Sequence, residues 1–554
     1  MSMLWLLIQK IAAEVFRMQG KRIGAVISII LTCLAITVCD SQANSVPLSY
    51  DEAVKKVTFT GEIATVDFTN LNHHNIYLVK INSSDFVVPA GNTEEPAQAL
   101  SVITSQDGIG TPVSPEDRFY NRFHRAIQEF NANPPPIDME ARRGAVLTAG
   151  SVSYTVGDKK VFWVEKYKYS DASTVWESGP AVLMASGVHG NIWVMDENTS
   201  SGKSKYKISK TQAEELAGKF DLIYPLTTNL LGYEYGGGPN GDGGVDGDKK
   251  IQMLIYDIVD ESGKGVGVAG YFTSNDFYTQ AELDNHGSTR KTNLAEIFYI
   301  DANQVIGSLD YTSSVLVHEF QHMINFNRKY VEHGVNSGSW YNEMLSMMAE
   351  DVIAPLIGVG RTHNKHPISV RIPDFLDSYY KYGITEWELA GDSYAVLYAF
   401  GAYLLRNYGG PELLKKILDN DMVNADSLTM ALKEFSADMD FGKAINRYSE
   451  ALIFSGSSIP GDGVNGINAA TFDRTVSDTI NGETYTAYGF NIWQTRRSGT
   501  KDRGPFVLDF EPAYMRPHSA IIQSTSQWRN KTGDYSITLE KPSSQNVVLY
   551  LMVR

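Results

Sequence analysis

The sequence predicts a multidomain α+β protein, in which a central domain with a mixed sheet and long helices is flanked by N- and C-terminal β-rich modules. Three observations support this prediction. The chain has 554 residues, which is more than one hydrophobic core usually serves. Short alternating apolar runs dominate both ends, as expected for half-buried strands. Longer apolar segments with a helical period occupy the middle.

The composition is that of an acidic globular protein. Hydrophobic residues make up 43% of the chain and aromatic residues 11%, which is typical of folded rather than disordered chains. The net charge is −16, and no block of basic residues interrupts it. Because nucleic-acid binding depends on Lys and Arg side chains that neutralise phosphates, we expect no nucleic-acid partner. The acidic groups are suited to holding structural calcium.

The first residues are typical of an export signal. A basic pair, Lys21 and Arg22, precedes an apolar run of signal-peptide length that is short for a membrane span. We therefore assign residues 1–39 to a signal peptide, with Met18 as an alternative start that gives a more compact signal. The protein is predicted to be exported, and is either secreted or lipid-anchored at the bacterial cell envelope.

Cys39 decides between these two locations. It ends the apolar run in a sequence that resembles a relaxed bacterial lipobox, and the alternative is ordinary cleavage near Ala43. The other cysteine, Cys33, lies within the signal, so the mature chain has no internal disulfide. No other stretch is long and apolar enough to span a bilayer. Membrane contact is therefore expected only through a lipid at Cys39.

Residues 46–135 are predicted to form the N-terminal β-rich module. Runs such as KVTFTGEIATVDF and NIYLVKI alternate apolar and polar residues with the period of a strand. The Pro-rich stretch NANPPPID, residues 131–138, then indicates a linker. This module is either a permanent domain or an inhibitory prodomain.

Residues 145–460 are predicted to form the central domain. Strands are expected at KKVFWVEKY, NIWVMDE, IQMLIYDIV and EIFYIDA, and Ser209 is expected to cap a helix that follows the second of them. Residues 465–554 return to strand patterns such as AIIQSTS and NVVLYLMV, which form the C-terminal β-rich module. Further helices of the central domain are predicted at about 310–327, 341–353 and 393–407.

The segment VLVHEFQHMINF carries the strongest chemical motif. His318 and His322 are four residues apart, so on a helix they lie on one face and can bind one metal ion. Glu319 lies about 100° round the helix and can reach a water on that metal. This is the HExxH spacing of zinc-dependent hydrolases, in which the glutamate is the general base. The alternative is a core helix with two buried histidines.

A catalytic zinc takes three protein ligands, so one more is required. Asn325 and Arg328 occupy the positions of the glycine and third histidine in HExxHxxGxxH, which excludes that class. Glu343 is the next candidate, because a carboxylate in an apolar helix must be paired or bound to metal. Glu350 is a candidate for orienting a zinc-bound histidine, and Asp351 is a second one. Capping or ion pairing is the alternative role for these carboxylates.

The two segments HEFQHMINF and WYNEMLSMMAED resemble the gluzincin clan of metallopeptidases, and more narrowly the hyicolysin-like family of secreted bacterial metallopeptidases. The similarity extends to FWVEKY, IWVMDE, GGGPNGDGGVDGD and SYAVLYAFGAYLLRNYG, and so spans residues 145–410. It implies a zincin-type catalytic domain. The residues it assigns are Glu319 as the base and the zinc ligands His318, His322 and Glu343.

The resemblance also implies a tyrosine that donates to the oxyanion, in a downstream helix of pattern Y-x-x-G. Tyr398 and Gly401 match that pattern, and Tyr394 is the alternative one turn earlier. Both tyrosines also suit core packing. The sequence departs from thermolysin-like members at Met347, where those members carry an aspartate. The resemblance therefore leaves the partner of the zinc-bound histidines open.

An acidic glycine-rich loop, PNGDGGVDGD, is a candidate calcium site, since calcium takes several oxygen ligands on a flexible loop. It is not an EF-hand, because Met253 stands where the final glutamate belongs. A plain polar turn is the alternative, and Asp257 is a more distant candidate ligand. The candidate ligands in the loop are Asn240, Asp242, Asp246 and Asp248.

These features predict a zinc-dependent endopeptidase that acts on polypeptides, with the strand EIFYID holding an extended substrate by edge pairing. A zinc aminopeptidase shares both helices, but the chain lacks a GxMEN-like string that would capture a free N-terminus. The third hypothesis is a cell-surface adhesin with a vestigial protease centre. The intact Glu319 argues against it, because a dead site has no chemical need for the base.

Overall fold

A computed structural model describes residues 48–91, 115–138, 152–168, 173–259, 268–387, 391–457 and 469–554. The predicted signal peptide, with Met18 and Cys39, lies outside these residues, so the export predictions stay predictions. Within the described part of the chain, no helix has the length and apolar character needed to cross a membrane. Residues Ser49 to Arg554 belong to one compact unit.

Strands occur along the whole described chain and are numbered in chain order. They are β1 (Val54–Lys56), β2 (Ile63–His74), β3 (Ile76–Asn82), β4 (Val88–Pro89), β5 (Lys159–Lys168), β6 (Ser173–Ser186), β7 (Gly190–Met195), β8 (Ile251–Tyr256), β9 (Gly270–Phe272), β10 (Ile297–Asp301), β11 (Val476–Ile480), β12 (Glu483–Ala487), β13 (Tyr514–Met515), β14 (Ala520–Gln523), β15 (Lys531–Glu540) and β16 (Val547–Val553).

Most helices lie in the central part of the chain, as predicted. They are α1 (Tyr50–Ala53), α2 (Pro115–Ala132), α3 (Lys210–Leu231), α4 (Gln280–Asn285), α5 (Ala302–Gly307), α6 (Leu309–Asn325), α7 (Ser339–Ile353), α8 (Pro367–Ser378), α9 (Gly391–Asn407), α10 (Gly410–Asp419), α11 (Asn424–Phe435) and α12 (Phe441–Phe454). The three helices predicted after residue 309 are confirmed as α6, α7 and α9. Ser209 caps α3, and its hydroxyl accepts a hydrogen bond from the backbone N–H of Gln212.

The central sheet is mixed, and this confirms the α+β class. Its strand order is β5-β6-β7-β8-β10-β9. Strands β7, β8 and β10 pair in parallel, whereas the outer strands pair antiparallel. The three parallel strands are buried along their whole length. Parallel strands are usually covered on both faces, so residues of both faces must be apolar. This explains why the sequences of these three strands are continuously apolar rather than alternating.

The prediction that EIFYID binds substrate at a sheet edge is wrong. This segment forms β10, which lies inside the sheet between β8 and β9. The edge strand is β9, which runs antiparallel to β10 with Phe272 opposite Phe298. An interior strand has both rows of backbone groups paired, so an extended peptide would pair at the edge strand β9 rather than at β10.

The strands of the two predicted β-rich modules pair with each other. Strand β3 lies between β16 and β14, and β2 pairs with β15 along most of its length. The two ends of the chain therefore build shared sheets rather than two independent modules. Alternation identifies a strand but does not identify its partner, and an isolated two-stranded ribbon is only marginally stable.

Helix α2 was not predicted, because residues 46–135 were assigned to strands. Phe123 and Ile127 on this helix are buried in the same apolar cluster as Phe162, Trp193 and Tyr271 of the central domain. The helix therefore belongs by packing to the central sheet. Its last turn overlaps the segment predicted as a linker, because Asn131 and Ala132 are still helical.

Candidate metal centre

Helix α6 carries both histidines of the HExxH segment. Ser308 caps it by accepting a hydrogen bond from the N–H of Tyr311. The helix is buried almost throughout and continues into a π-helical turn at Phe326–Val331. The His318 and His322 rings lie on one face with their centroids 4.7 Å apart, as the four-residue spacing predicts.

Helix α7 brings Glu343 to both histidines. Nε2 of His318 lies 3.0 Å from Oε2 of Glu343, and Nε2 of His322 lies 3.5 Å from Oε1. One donor atom from each of the three residues lies within 4.8 Å of the others, and all three side chains are largely buried. Two imidazole nitrogens and a carboxylate oxygen are a ligand set that suits zinc and leaves a position for water.

The electrostatics of this cluster favour a bound cation. Burial alone lowers the pKa of His318, but hydrogen bonds to Glu343 and Glu350 outweigh burial and raise it to about 10. Burial lowers the pKa of His322 to about 4, since its contact with a carboxylate is longer. The positive charge on His318 thus compensates the buried carboxylates. A bound metal ion would provide the same compensating positive charge while both imidazoles stay neutral.

Glu350, rather than Asp351, contacts a histidine of the candidate metal cluster. Oε1 of Glu350 lies 2.8 Å from Nδ1 of His318 and accepts a hydrogen bond of 2.7 Å from Nη2 of Arg371. Asp351 is fully buried and pairs with Arg406 at 2.8 Å, away from both histidines of the HExxH segment. Of the two candidates, Glu350 therefore has the position to orient His318. Arg371 gave no signal in the sequence, because nothing in its local pattern indicates its partner.

His322 is oriented by a serine that sequence reasoning missed. The Ser346 hydroxyl lies 3.1 Å from Nδ1 of His322 and also bonds the side chain of Gln321. Ser346 stands one turn after Glu343 on α7, so the same helix supplies a ligand and a group that orients another ligand. The sequence signal was present in the spacing of these two residues.

Glu319 faces the cleft beside the metal cluster. It lines one cavity with His318, His322 and Glu343. Burial raises its pKa to about 8, and a hydrogen bond from the backbone N–H of Phe272 opposes that rise. The edge strand β9 therefore holds the carboxylate next to the cluster, in the position that the HExxH motif implies.

The structure brings Tyr394, not Tyr398, to the cleft. Tyr394 lines the cavity, and its ring centroid lies 6.4 Å from that of His318. Tyr398 is fully buried in the core, where Asp351 and Arg406 are its charged neighbours. The two tyrosines are one turn apart on α9. The Y-x-x-G pattern selected Tyr398, but Tyr394 is the residue that lines the cavity.

The C-terminal turn of α2 forms a further wall of this cleft. Nε2 of Gln128 donates a hydrogen bond of 2.7 Å to Oε1 of Glu343, and the Trp387 indole N–H donates to Oε1 of Gln128. Asn131 donates to the carbonyl of Phe272 at 3.0 Å and accepts from the N–H of Ser274 at 2.7 Å. No sequence pattern indicated that these residues approach the HExxH segment.

The four predicted calcium ligands do not share one environment. Asp248 is engaged in hydrogen bonds, because its Oδ2 accepts from Asn191 and Gln252. Asn240 is exposed on the loop, whereas the second carboxylate oxygen of Asp246 is buried. Asp242 accepts a hydrogen bond of 3.3 Å from the N–H of Gly244. Asp248 is thus held by hydrogen bonds and Asn240 is exposed, and calcium binding by these four residues stays a prediction.

Two comparisons relate the chain to known proteins. The sequence profile of the family described as Peptidase M30 matches residues 173–476, which is more than half of the chain. Neutral metalloprotease ShpI of Staphylococcus hyicus is 27% identical over 320 residues, which cover 54% of this chain. The match spans 64% of ShpI, so less than two thirds of that relative is covered. Both comparisons confirm the resemblance that the two helices indicated, and the family match contains the whole metal cluster.

Proposed function

Because the chain belongs to the Peptidase M30 family, we propose that it is a zinc-dependent endopeptidase that cleaves polypeptides. The observation that carries this proposal is the convergence of His318, His322 and Glu343, with Glu319 on the same cavity. Two histidines and a glutamate beside a free carboxylate are the groups that metal-assisted peptide hydrolysis requires. In these terms the mixed sheet and the two helices form a zincin-type catalytic domain.

The residues around the cavity have different roles in the proposed reaction. His318, His322 and Glu343 would hold the zinc, which when bound lowers the pKa of a water and polarises the scissile carbonyl. Glu319 takes the proton of that water and passes it to the leaving amine. Its position beside the three proposed ligands, on the same cavity, suits both transfers.

Substrate is held by the edge strand and the cleft. We assign extended pairing to β9, since it is an edge strand of the central sheet and its residue Phe272 contacts Glu319. Residues of β9 line the same cavity as His318 and Glu319, so a peptide paired there would lie beside the metal cluster. Tyr394 is placed to donate a hydrogen bond to the developing oxyanion, a role usually filled by a preorganised donor.

A matched pair of variants tests the function. Glu319→Gln keeps the shape of the side chain but removes the base, so zinc content is expected to stay near one per chain while cleavage of unfolded casein falls by about 10²-fold or more. Glu215→Gln, which changes an exposed glutamate on α3, is the control and is expected to cleave normally. Full activity in Glu319→Gln would contradict the mechanism.

The type of substrate is tested with blocked peptides. An endopeptidase cleaves a peptide whose N-terminus is acetylated, whereas an aminopeptidase requires the free amine. An adhesin with a vestigial centre would cleave neither, with or without zinc. We expect cleavage of the acetylated peptide at internal bonds, detected by mass spectrometry of the products.

The cellular location is proposed from the N-terminal sequence alone. We propose export, with Cys39 either lipid-modified or removed with the signal. Expression of the full chain and of Cys39→Ala, followed by separation of membranes from medium, distinguishes the two. Loss of membrane association only in Cys39→Ala supports a lipid anchor, and equal release of both forms supports secretion.

A further inference from the structure

Two glutamates next to the glycine-rich loop are buried with only half of each carboxylate engaged. Glu234 and Glu296 are each 3% exposed. Oε1 of Glu234 accepts a hydrogen bond of 2.7 Å from the Tyr224 hydroxyl, and Oε1 of Glu296 accepts one of 2.8 Å from the N–H of Val245. Oε2 of each is buried and has no hydrogen-bond partner among the described residues. Such an atom is costly unless something else binds it.

Asp246 adds a third carboxylate of the same kind. Its Oδ1 accepts a hydrogen bond of 2.8 Å from the N–H of Asp248, and its Oδ2 is buried with no hydrogen-bond partner in the described part of the chain. Burial raises the pKa of Glu296, and the charges of Asp246 and Glu234 raise it further. Val245, whose N–H donates to Glu296, is the chain neighbour of Asp246, so Asp246 and Glu296 belong to the same part of the loop.

The glycines of the loop allow the backbone to close around these carboxylates. A Cβ at Gly244 would lie 2.0 Å from Oε1 of Glu296, and a Cβ at Gly237 would lie 2.2 Å from Oε1 of Glu234. Gly236, with φ of +74°, packs against the backbone of Gly244, with φ of +64°. Only glycine permits this approach, so the loop is built to surround the carboxylates closely.

The buried carboxylates of this region carry more negative charge than the nearby Lys160 compensates. Burial raises the pKa of Asp246, and the Lys160 ammonium, which also donates to the Tyr154 hydroxyl at 3.2 Å, lowers it only in part. Uncompensated carboxylates are not stable in a buried site as anions. A divalent cation would remove both the charge imbalance and the unpaired oxygens.

We propose that Glu234, Asp246 and Glu296 form a structural calcium site, with the glycine-rich loop wrapped around it. All of the available donors are oxygens, and calcium prefers carboxylate and carbonyl oxygens in a flexible arrangement. Zinc, by contrast, favours nitrogen and sulfur donors. The ligand set differs from the one expected from the loop sequence, because two of its members lie outside the acidic run.

The loop of the proposed calcium site contacts the segment that follows helix α6. Nδ2 of Asn327, in the π-helical turn that follows α6, donates a hydrogen bond of 2.9 Å to the carbonyl of Tyr233, next to Glu234. The Arg328 side chain packs on Gly232 at the start of the loop. Calcium would therefore fix the loop against the end of the helix that carries both histidines, and stabilise the fold without taking part in the chemistry.

The test uses the zinc-loaded full chain after dialysis into calcium-free buffer that contains zinc. Calcium chloride is expected to raise the thermal unfolding midpoint by several degrees. Terbium is expected to give luminescence on excitation of tyrosine, because Tyr224 is hydrogen-bonded to Glu234, and calcium should displace it. Neither measurement depends on peptidase activity, so this proposal fails or stands separately from the proposed function.

The variants identify the ligands. Glu234→Gln and Glu296→Gln are expected to weaken calcium affinity by about 10- to 100-fold, and Asp246→Asn is the second choice if either fails to fold. Asn240→Ala, in the exposed part of the loop, and Glu215→Gln, on α3, should respond to calcium like the native chain. The absence of a calcium-dependent shift in the native chain, or an unchanged shift in Glu296→Gln and Asp246→Asn, would overturn the proposal.

Discussion

Gln128 donates a hydrogen bond of 2.7 Å to Glu343, and so joins a helix near the start of the described chain to the third member of the metal cluster. One turn later Asn131 bonds the carbonyl of Phe272 and the N–H of Ser274. These are backbone groups at and just beyond the free edge of β9. The Asn131 amide therefore occupies positions that an extended substrate would use.

Asn131→Ala is expected to lower KM. It frees two backbone groups of the edge strand from their bonds to Asn131. Each such bond contributes roughly 0.5–1.5 kcal/mol, so KM is expected to fall by about 5- to 150-fold while kcat changes little. Steady-state kinetics on an acetylated peptide measures this. Asn133→Ala, at an exposed neighbouring position, is the control. A rise in KM would instead make the end of α2 a wall of the substrate site.

The two tyrosines of α9 are expected to behave differently. Tyr394→Phe removes a donor from the cleft, so kcat should fall by about 10²- to 10³-fold with little change in KM. Tyr398→Phe alters a core residue outside the cleft and should leave kcat unchanged. Kinetics and urea unfolding of both variants decide the assignment. A large kcat loss in Tyr398→Phe alone would restore the prediction made from the Y-x-x-G pattern.

Substitutions of the adjacent residues Glu350 and Asp351 on α7 are expected to affect different quantities, zinc affinity in the first case and stability in the second. Glu350→Gln weakens the support of His318, so zinc affinity should fall by about 10- to 100-fold and activity should recover at raised zinc. Asp351→Asn should leave zinc affinity intact but leave the buried Arg406 cation without its paired anion, at a cost of about 3–5 kcal/mol. Zinc competition against a chromogenic chelator and urea unfolding measure the two quantities. Equal zinc affinities in both variants would remove Glu350 from its positioning role.

Asp276 is expected to make stability depend on pH. It is fully buried, and burial raises its pKa from 3.8 to about 7 despite bonds from Asn293 and Tyr299. The folded state binds the proton of Asp276 more tightly than the unfolded state does. The contribution of Asp276 to the free energy of unfolding is therefore complete below about pH 4 and is lost as pH rises through about 7.

Asp276→Asn mimics the protonated group and provides the measurement. The free energy of unfolding of the variant, relative to the native chain, should rise by a few kcal/mol between about pH 4 and pH 7 and then level off. Urea titrations of both forms at a series of pH values give this difference. Subtracting the native chain cancels the pH dependence of all other groups. A difference that is flat across this range would contradict the assignment of a raised pKa to Asp276.

The sequence by itself determined the chemistry of the metal centre. The spacing of His318 and His322 fixes one helical face, and the placement of Glu343 in an apolar helix requires a partner for its carboxylate. These are local consequences of helix geometry and burial, and the structure brings the three residues together. The class of the fold and the main helices followed from periodicity for the same reason.

Only the tertiary structure decided which surfaces meet. It paired the strands of the two chain ends, made β9 the edge strand and turned Tyr394 to the cleft. It also brought Gln128 to Glu343, and Glu296 to the glycine-rich loop. Each of these contacts joins residues distant in sequence or depends on how a helix is rotated. Local pattern specifies which face of an element is buried, but the partner is chosen by the packing of the whole core.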